Sequence, residues 1–280
     1  MGNLKIGAMV ESFRCGIKGG LEKAASLGVS GVQMYATSGE LAPENMTPAK
    51  IKEVRDMVSS NGLVISAICG DLGGGGFRIP EDNKWKIEKS KRIMDLALEL
   101  GTNVITTHIG PVPAGVNDAY KIMAEACNEL AEYGDNVGAY FAIETGPEPA
   151  LRLKSFLDGL SAKAVRVNFD PANLAMVIGE DPVESADILK DYIVHTHAKD
   201  GIMLHKGDPE AIYGFLKHDE IEQIEYFREV PLGDGSVDFD RYIDLLKGFN
   251  RPLFLTIERE CGDNPEADIK RAVEFLKSKI

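Results

Sequence analysis

Four residues whose side chains can carry chemistry stand at the ends of short apolar runs in the second half of the chain. The runs read Phe141-Ala-Ile-Glu144, Val167-Asn-Phe-Asp170, Val194-His-Thr-His197 and Phe254-Leu-Thr-Ile-Glu258. Three carboxylates brought to one place would repel one another, and each would tend to keep its proton. A divalent cation removes that difficulty, and three oxygens with one imidazole suit Mn²⁺, Co²⁺ or Mg²⁺ better than a metal that prefers sulfur. These run ends therefore predict a metal site, provided that the fold brings them together.

The elements that would position these residues are eight near-continuously apolar runs, which alternate with longer charged stretches of helical spacing. The predicted strands are residues 4–10, 31–36, 63–69, 103–109, 138–144, 165–170, 193–200 and 253–260; the predicted helices are residues 20–27, 47–61, 83–100, 118–135, 150–160, 182–190, 238–248 and 264–277. Runs that are apolar on both faces are typical of a parallel sheet, and eight strands with crossover helices favour closure into a (β/α)8 TIM barrel. A doubly wound open sheet is the alternative. In a barrel the carboxyl ends of all strands meet at one mouth, so the four run ends would face one another.

Residues 1–280 are predicted to form one barrel domain, because that length is within the usual range for an α/β barrel. A longer insertion at about 201–237 separates the seventh and eighth strands, and insertions of this length are usually lids, binding loops or extra helices. The glycine quartet 73–76 follows the third strand and is either a mobile active-site loop or a surface bend. It is not a phosphate-binding P-loop, because no Gly-Lys-Ser/Thr follows it.

Composition narrows the class of partner. The formal charge of −13 argues against nucleic acid, which needs a basic face, and favours a small polar substrate. No apolar run approaches the roughly 18 residues that a membrane-spanning helix requires, and the amino terminus lacks the pattern of a secretory signal peptide. Four cysteines without C-x-x-C spacing are expected to stay reduced. We therefore expect a cytoplasmic protein.

The remaining histidines and the acids themselves allow other interpretations. His195 lies two residues before His197 and therefore points to the same side one layer deeper, as a packed core histidine or as a support for the site. His108 ends the fourth predicted strand and could reach substrate. His205 and His218 lie in the charged insertion, where solvent exposure is expected. Each acid at a strand end could instead cap the following helix or pair with a basic neighbour.

At these residues the sequence resembles the xylose isomerase-like TIM-barrel superfamily, specifically its sugar phosphate isomerase/epimerase branch. The matching pieces are Ala142-Ile-Glu144-Thr, Asn168-Phe-Asp170-Pro-Ala-Asn173, His195-Thr-His197-Ala-Lys-Asp200, Pro231-Leu-Gly-Asp-Gly235 and Thr256-Ile-Glu258. Each motif is loose alone, but their order and placement are fairly specific, and the pattern covers nearly the whole chain. The branch includes ketose 3-epimerases, inosose-processing and hydroxypyruvate isomerases, dehydratases, and lyases of oxidised glycosides, so the resemblance indicates the metal site better than the substrate.

The resemblance implies that Glu144, Asp170, His197 and Glu258 bind one divalent ion. Mn²⁺ is expected first, with Co²⁺, Mg²⁺ and Zn²⁺ as alternatives, and no other cofactor is expected. It also implies that Glu144 and Glu258 are catalytic in an isomerase or epimerase of a small keto-sugar. One glutamate removes the proton beside the carbonyl, the metal stabilises the enediolate, and the other glutamate returns a proton from the opposite face. Return to the same carbon inverts it, whereas return to the adjacent carbon isomerises the sugar.

Substrate contacts are expected from six further residues: His108, Asn173, His195, Lys199, Asp200 and Arg228. Whether the sugar is phosphorylated stays open, because Lys206, Arg228 and the turn 233–235 could bind phosphate or could be ordinary loop residues. The preference for Glu258 over Glu260 as a ligand rests on the motif match alone. A homodimer or homotetramer is compatible with the resemblance.

Two other functions stay open. The same site could run an elimination, as a lyase or dehydratase on a keto-sugar, keto-glycoside or keto-acid, or the chain could be a non-catalytic sugar-binding or partner subunit. The endonuclease branch of the superfamily is disfavoured, because Asn173 stands where its Asp-x-x-His motif would supply another metal ligand. Hydride-shift isomerisation with two metals is also disfavoured, since no second ligand set is apparent.

Overall fold

A computed structural model describes residues 3–215 and 224–280 of the chain. Its strands are β1 Leu4–Met9, β2 Gly31–Tyr35, β3 Val64–Cys69, β4 Val104–Thr107, β5 Tyr140–Glu144, β6 Val165–Phe169, β7 Ile193–Ala198, β8 Asp200–Met203, β9 Phe227–Val230 and β10 Leu253–Ile257. Eight of them form a closed parallel barrel in the order β1-β10-β7-β6-β5-β4-β3-β2. The predicted (β/α)8 TIM barrel is confirmed.

Helices cover the outside of the barrel. They are α1 Gly16–Leu27, α2 Pro48–Ser60, α3 Pro80–Leu100, α4 Asp118–Val137, α5 Ala150–Asp158, α6 Pro171–Asn173, α7 Pro182–Leu189, α8 Pro209–Ile212, α9 Phe239–Lys247 and α10 Pro265–Lys277. Local sequence explains several of their ends. Thr47 accepts a hydrogen bond from the Lys50 N–H ahead of a proline at the first helical position, and Gly101 ends α3 in the left-handed conformation.

One continuous apolar core joins the barrel interior to the helix layer. Fully buried aromatic side chains such as Phe141 on β5 and Phe169 on β6 contribute to it. Each large apolar side chain buried this way stabilises the fold by about 1.5–3 kcal/mol. The carboxyl ends of the barrel strands are therefore held by packed strands and helices, which is the rigidity that a constellation of polar side chains requires.

The insertion after β7 contains an antiparallel hairpin that the sequence pattern did not predict. β8 pairs with β9, with Asp200 opposite Val230, so the seventh predicted strand, 193–200, ends earlier than expected and Asp200 starts a new one. The Asp200 carboxylate accepts hydrogen bonds from four backbone N–H groups: those of Gly201 (2.9 Å), Gly233 (3.0 Å), Gly235 (2.9 Å) and Val237 (3.1 Å). This single side chain therefore holds both ends of the insertion together.

The glycine quartet 73–76 is anchored from below by a buried lysine. Lys86 on α3 donates to the carbonyls of Gly73 (2.8 Å) and Gly76 (2.6 Å). Gly76 has φ 58° and packs so closely on the Ile109 carbonyl that a side chain there would overlap it. The hydrogen bonds from Lys86 and the close contact between Gly76 and Ile109 fix the conformation of the loop.

Two other expectations concern the chain as a whole. Among the described residues, no helix is both long and apolar enough to cross a membrane. The four cysteines are free thiols, with Cys69 and Cys127 buried and Cys15 and Cys261 exposed.

Candidate metal centre and active site

The barrel brings the four predicted metal ligands together. One ligand atom from each lies within 4.8 Å of the ligand atoms of the other three. Glu144 is the last residue of β5, Asp170 directly follows β6, His197 is the fifth residue of β7, and Glu258 directly follows β10. All four are buried at the floor of the mouth. We refer to them below as the quartet.

The imidazole of His197 is oriented with one nitrogen toward the three carboxylates. Its Nδ1 lies 3.7 Å from Glu144 Oε2, 3.4 Å from Asp170 Oδ2 and 3.3 Å from Glu258 Oε2. Its Nε2 lies 3.1 Å from the Oε1 atom of Gln33 on β2, an oxygen that can only accept a hydrogen bond. Asn168 Nδ2 lies 3.2 Å from the same nitrogen. The ring form that donates from Nε2 to Gln33 is the one that can bind a cation through Nδ1, and such an outer partner is usual for a metal-binding histidine.

Asp170 uses its two oxygens for different purposes. Oδ1 accepts hydrogen bonds from the N–H groups of Ala172 (2.8 Å) and Asn173 (3.0 Å) and so caps α6. Oδ2 faces His197 in the quartet. The Asp170 carboxylate therefore caps α6 and faces the quartet at the same time. The cap holds the side chain in the orientation that a metal ligand needs.

The two glutamates differ in proton affinity. Burial raises the pKa of Glu144 to about 7, although His197 and His108 oppose the shift. Glu258 is buried too, but Lys199 and His197 outweigh burial and hold its pKa well below the usual value. Burial also acts to lower the pKa of His197, yet Glu258 and Glu144 raise it well above the usual value. A pair of carboxylates with separated proton affinities is a common feature of acid–base sites.

Lys199 connects the quartet to the rim of the mouth. Its Nζ lies 3.0 Å from Glu258 Oε2, also donates to Glu260, and is 4.0 Å from Glu229 Oε2 on β9. The side chain of Glu258 is 5% exposed, whereas that of Glu260 is 59% exposed. Glu258 thus points into the quartet and Glu260 lies at the rim of the mouth.

A cavity of about 250 Å³ lies over the quartet. Glu144 and Glu258 form part of its floor, and His108, Asn173 and Lys199 line it as well. One wall is formed by the π-helical turn Leu174–Ile178, which follows α6, and by the insertion. It is largely apolar and consists of Met176, Val177, Ile212, Tyr213 and Phe227. A buried, polar floor with an apolar wall is the usual form of a site for a small organic ligand.

Comparison with known proteins places the chain in a family. A family model described as xylose isomerase-like TIM barrel matches residues 21–279. The chain belongs to this family.

Individual relatives match the chain either over a short segment of sequence or in fold alone. The L-ribulose-5-phosphate 3-epimerase UlaE of Salmonella paratyphi B is 34% identical over 56 residues, which are 19% of this chain and 20% of that protein. A xylose isomerase domain protein from Planctomyces limnophilus superimposes with a TM-score of 0.78 at 24% identity, covering 98% of this chain and 96% of the other. The D-psicose 3-epimerase of Clostridium cellulolyticum H10, solved with D-tagatose, gives a TM-score of 0.72 at 15% identity, covering 98% and 99%. At these identities the solved structures establish the fold.

Within this xylose isomerase-like barrel, the six residues expected to contact substrate fall into two groups. His108, Asn173 and Lys199 line the cavity. His195 lies buried on β7 below it, where Nδ1 is 2.8 Å from Asn168 Oδ1 and Nε2 is 2.9 Å from Thr256 Oγ1. Burial and the neighbouring His197 hold the pKa of His195 well below its usual value, as expected for a neutral core histidine.

The other two expected contacts, Asp200 and Arg228, do not line the cavity. The Asp200 carboxylate is turned into the loop amides of the insertion. Arg228 is 54% exposed and forms a two-point ion pair with Glu225. His205 is exposed as expected, whereas His218 lies outside the described residues.

Sequence reasoning missed several residues that shape the site. Gln33 orients His197, and Asn168 donates to Glu144 Oε2 at 3.1 Å. Asp71, in the loop after β3, lies 3.0 Å from Nδ1 of His108, whose Nε2 is 3.6 Å from Glu144 Oε1. A signal was present for Gln33, because it is a lone amide inside an otherwise apolar strand.

Proposed function

We propose that this protein is a divalent-metal-dependent isomerase or epimerase of a small keto-sugar. The observation that carries the proposal is the convergence of Glu144, Asp170, His197 and Glu258 beneath a cavity of about 250 Å³, whose lining includes both glutamates. Two of the quartet's three carboxylates, those of Glu144 and Glu258, can also move protons. The matches to an L-ribulose-5-phosphate 3-epimerase and to a D-psicose 3-epimerase fold support the same class of reaction.

The donor set fits a divalent ion. Three carboxylates and one imidazole nitrogen converge in a buried position where the carboxylates would otherwise repel one another. His197 turns Nδ1 toward the three carboxylates, and an oxygen-rich set favours Mn²⁺, with Co²⁺, Mg²⁺ and Zn²⁺ as alternatives. When bound, such an ion supplies a Lewis acid that acidifies the C–H beside a carbonyl.

The chain's own residues then move the protons. One of Glu144 and Glu258 removes the proton from the carbon beside the carbonyl, and the other returns a proton from the opposite face. Asn168 and Asn173 donate to the two oxygens of Glu144, at 3.1 Å and 3.2 Å, and therefore hold its carboxylate in one orientation. Lys199 holds Glu258 in the same way at 3.0 Å. Carboxylates fixed in this way meet the geometric requirement of general acid–base catalysis.

His108 is placed to bind a substrate oxygen. Burial lowers its pKa, but Glu144 and Asp71 raise it to about 9, so in the metal-free protein the ring is a hydrogen-bond donor at neutral pH. Asp71 accepts from Nδ1 and leaves Nε2 on the cavity side, near Glu144. A donor beside the proton-transfer group orients a hydroxyl or carbonyl oxygen and opposes the build-up of negative charge on it.

The test is product analysis with metal-loaded protein. D-tagatose, D-psicose and L-ribulose are incubated with the Mn²⁺ form, and products are identified by NMR. We expect an epimer or an aldose isomer, loss of turnover on chelation, and a decrease of about 10²–10⁴-fold in Glu144→Gln and Glu258→Gln. A dehydrated product would instead indicate the elimination reaction. Stoichiometric metal and sugar binding without any product would indicate a non-catalytic sugar-binding subunit.

A further inference from the structure

Resting on the proposed function, we infer that the substrate is an uncharged keto-sugar that carries neither a phosphate nor a carboxylate group. Four features of the described residues lead to this inference. They are the charge of the cavity lining, the occupied amides of the loop after β9, the positions of the remaining cations, and the chemistry of the wall opposite the quartet.

The cavity lining is rich in carboxylates. Asp71, Glu144, Glu258 and Glu260 line it, and Asp170 lies beneath it in the quartet. A divalent ion offsets two of these five charges. The two lining groups that can be cationic already face carboxylates, because Lys199 binds Glu258 and Glu260, and His108 lies between Asp71 and Glu144. With Lys199, His108 and a divalent ion counted as cations, four positive charges stand against five carboxylates, so the lining holds no positive charge in excess for an anionic substrate group.

The backbone amides that most resemble an anion site are already satisfied. Barrel enzymes often bind phosphate in the loops after the seventh and eighth barrel strands, where N–H groups point at the ligand. In this chain the corresponding turn, Pro231-Leu-Gly-Asp-Gly235, gives its Gly233 and Gly235 N–H groups to the Asp200 carboxylate, at 3.0 Å and 2.9 Å. Asp200 thus satisfies these amides, and neither Asp200 nor the turn lines the cavity.

The other two phosphate candidates of the insertion lie away from the cavity. Arg228 is exposed and paired with Glu225. Lys206 lines a separate groove with Arg152, and that groove shares only Val177 with the cavity. Among residues 3–215 and 224–280, no cation that lines the cavity is without a carboxylate partner.

The wall opposite the quartet is apolar. Met176 and Val177 come from the π-helical turn Leu174–Ile178, and Ile212, Tyr213 and Phe227 come from the insertion. A phosphate pressed against these side chains would lose water and find a single donor, the Tyr213 O–H, which is costly for a charged group. A methyl or hydroxymethyl end of a short sugar loses little there.

This inference separates the chain from the partial match to an L-ribulose-5-phosphate 3-epimerase, whose name carries a phosphorylated sugar. It also weighs against a keto-acid substrate, because a carboxylate would meet the same lining. Of the sugar classes that the proposed reaction allows, a free ketose fits the described residues best.

The test pairs each sugar with its phosphate. L-ribulose and L-ribulose-5-phosphate, and D-tagatose and its 6-phosphate, are compared with Mn²⁺-loaded protein by calorimetric binding and by kcat/KM. We expect the free ketose to be favoured by about 10²-fold or more in both measurements. Tighter binding or faster turnover of either phosphate would overturn the inference while leaving the proposed reaction standing. Preferential binding of the free ketose without turnover would support the inference and count against the proposed function.

A charge variant at the rim of the mouth tests whether the preference for the free ketose over its phosphate arises from the charge of the cavity lining. Glu260→Gln removes one carboxylate beside Lys199 without changing the quartet, so the discrimination against the phosphate is expected to fall by about 10-fold. Glu274→Gln makes the same charge change on the exposed face of α10 and is expected to leave the discrimination unchanged. Equal discrimination in both variants and the wild type would contradict the electrostatic origin of the preference.

Discussion

At the scale of single residues, the hydrogen bond between Gln33 and His197 has the most direct effect on the proposed metal site. The Gln33 Oε1 atom is 3.1 Å from Nε2 and can accept its proton, while Nδ1 faces the three carboxylates. We expect Gln33→Leu to weaken Mn²⁺ binding by about 10–100-fold, as is usual when the outer partner of a metal-binding histidine is removed. Calorimetry of the purified protein measures the effect.

The matched variant is Gln33→Glu, which keeps an acceptor at the same place. We expect it to retain the metal affinity of the wild type or to exceed it, because the added charge also favours the cation. Unchanged affinity in both variants would show that the orientation of His197 does not depend on Gln33.

Glu148 is expected to make the free energy of unfolding depend on pH, independently of metal binding. It is buried, Oε2 accepts from the Val112 N–H at 2.9 Å, and Oε1 has no partner among the described residues. Burial raises the pKa of Glu148 from 4.5 to about 7. The folded state therefore prefers the protonated form, and the free-energy cost of ionising it is absent below about pH 4.5 and complete above about pH 7.

Glu148→Gln removes this cost. Between pH 4.5 and pH 7.5 the free energy of unfolding of the wild type should fall relative to that of the variant by up to about 3 kcal/mol. Urea denaturation at a series of pH values measures the difference between the two proteins. Glu132→Gln, on the exposed face of α4, is the control and is expected to show a pH-independent difference. A pH-independent difference for Glu148→Gln as well would mean that Glu148 is ionised at no cost.

At the scale of elements, the glycine loop 73–76 joins α3 to the mouth of the barrel. Lys86 donates to the Gly73 carbonyl, the Gly73 N–H donates to Asp71 at 2.9 Å, and Asp71 orients His108. We expect Lys86→Met to increase hydrogen exchange at residues 71–77 and to lower kcat about 10-fold, while Mn²⁺ affinity stays unchanged. The loss of two hydrogen bonds from a buried ammonium should also destabilise the fold by about 2–3 kcal/mol.

Lys84→Met is the control for this prediction, because Lys84 is exposed on the same helix. It should leave exchange and turnover unaltered. Protection of the loop equal to that of the wild type in Lys86→Met would show that the two carbonyl contacts do not hold the loop in place.

The barrel strands could be predicted from the sequence, whereas the hairpin of the insertion could not. A strand buried on both faces produces a continuous apolar run, so β5 and β6 are visible in sequence together with the acids that end them. β8 follows β7 after a single residue, and Asp200 finds its amide donors more than thirty residues further along the chain. No local pattern records a pairing of that kind. For the same reason the link between Asp71 and His108 becomes apparent only in three dimensions.

At the scale of the whole molecule, the quartet couples metal binding to stability. Three buried carboxylates cost free energy when they lie together without a cation, so an ion that binds only the folded state stabilises it. At a Mn²⁺ concentration of about 100 times Kd the gain is about 2.7 kcal/mol, which corresponds to a rise in Tm of about 5–10 °C for a chain of this size. Calorimetric scans with and without chelator measure it.

Asp170→Asn keeps the N-cap of α6, since an amide oxygen can still accept the two backbone hydrogen bonds, but it removes one charge from the quartet. We expect this variant to fold and to lose most of the Mn²⁺-dependent rise in Tm. A full rise in the variant would indicate that the ion stabilises the protein at another place.

The central claim is that the quartet transfers a proton to and from the carbon beside a sugar carbonyl. The most direct test is incubation of the Mn²⁺-loaded protein with a free ketose in D₂O, with NMR detection of deuterium at the carbons next to the carbonyl. The account expects incorporation that is lost on chelation and in Glu144→Gln and is retained in the surface variant Glu274→Gln. Conversion of the ketose to an epimer or isomer without deuterium incorporation, or incorporation that persists after chelation, would contradict it.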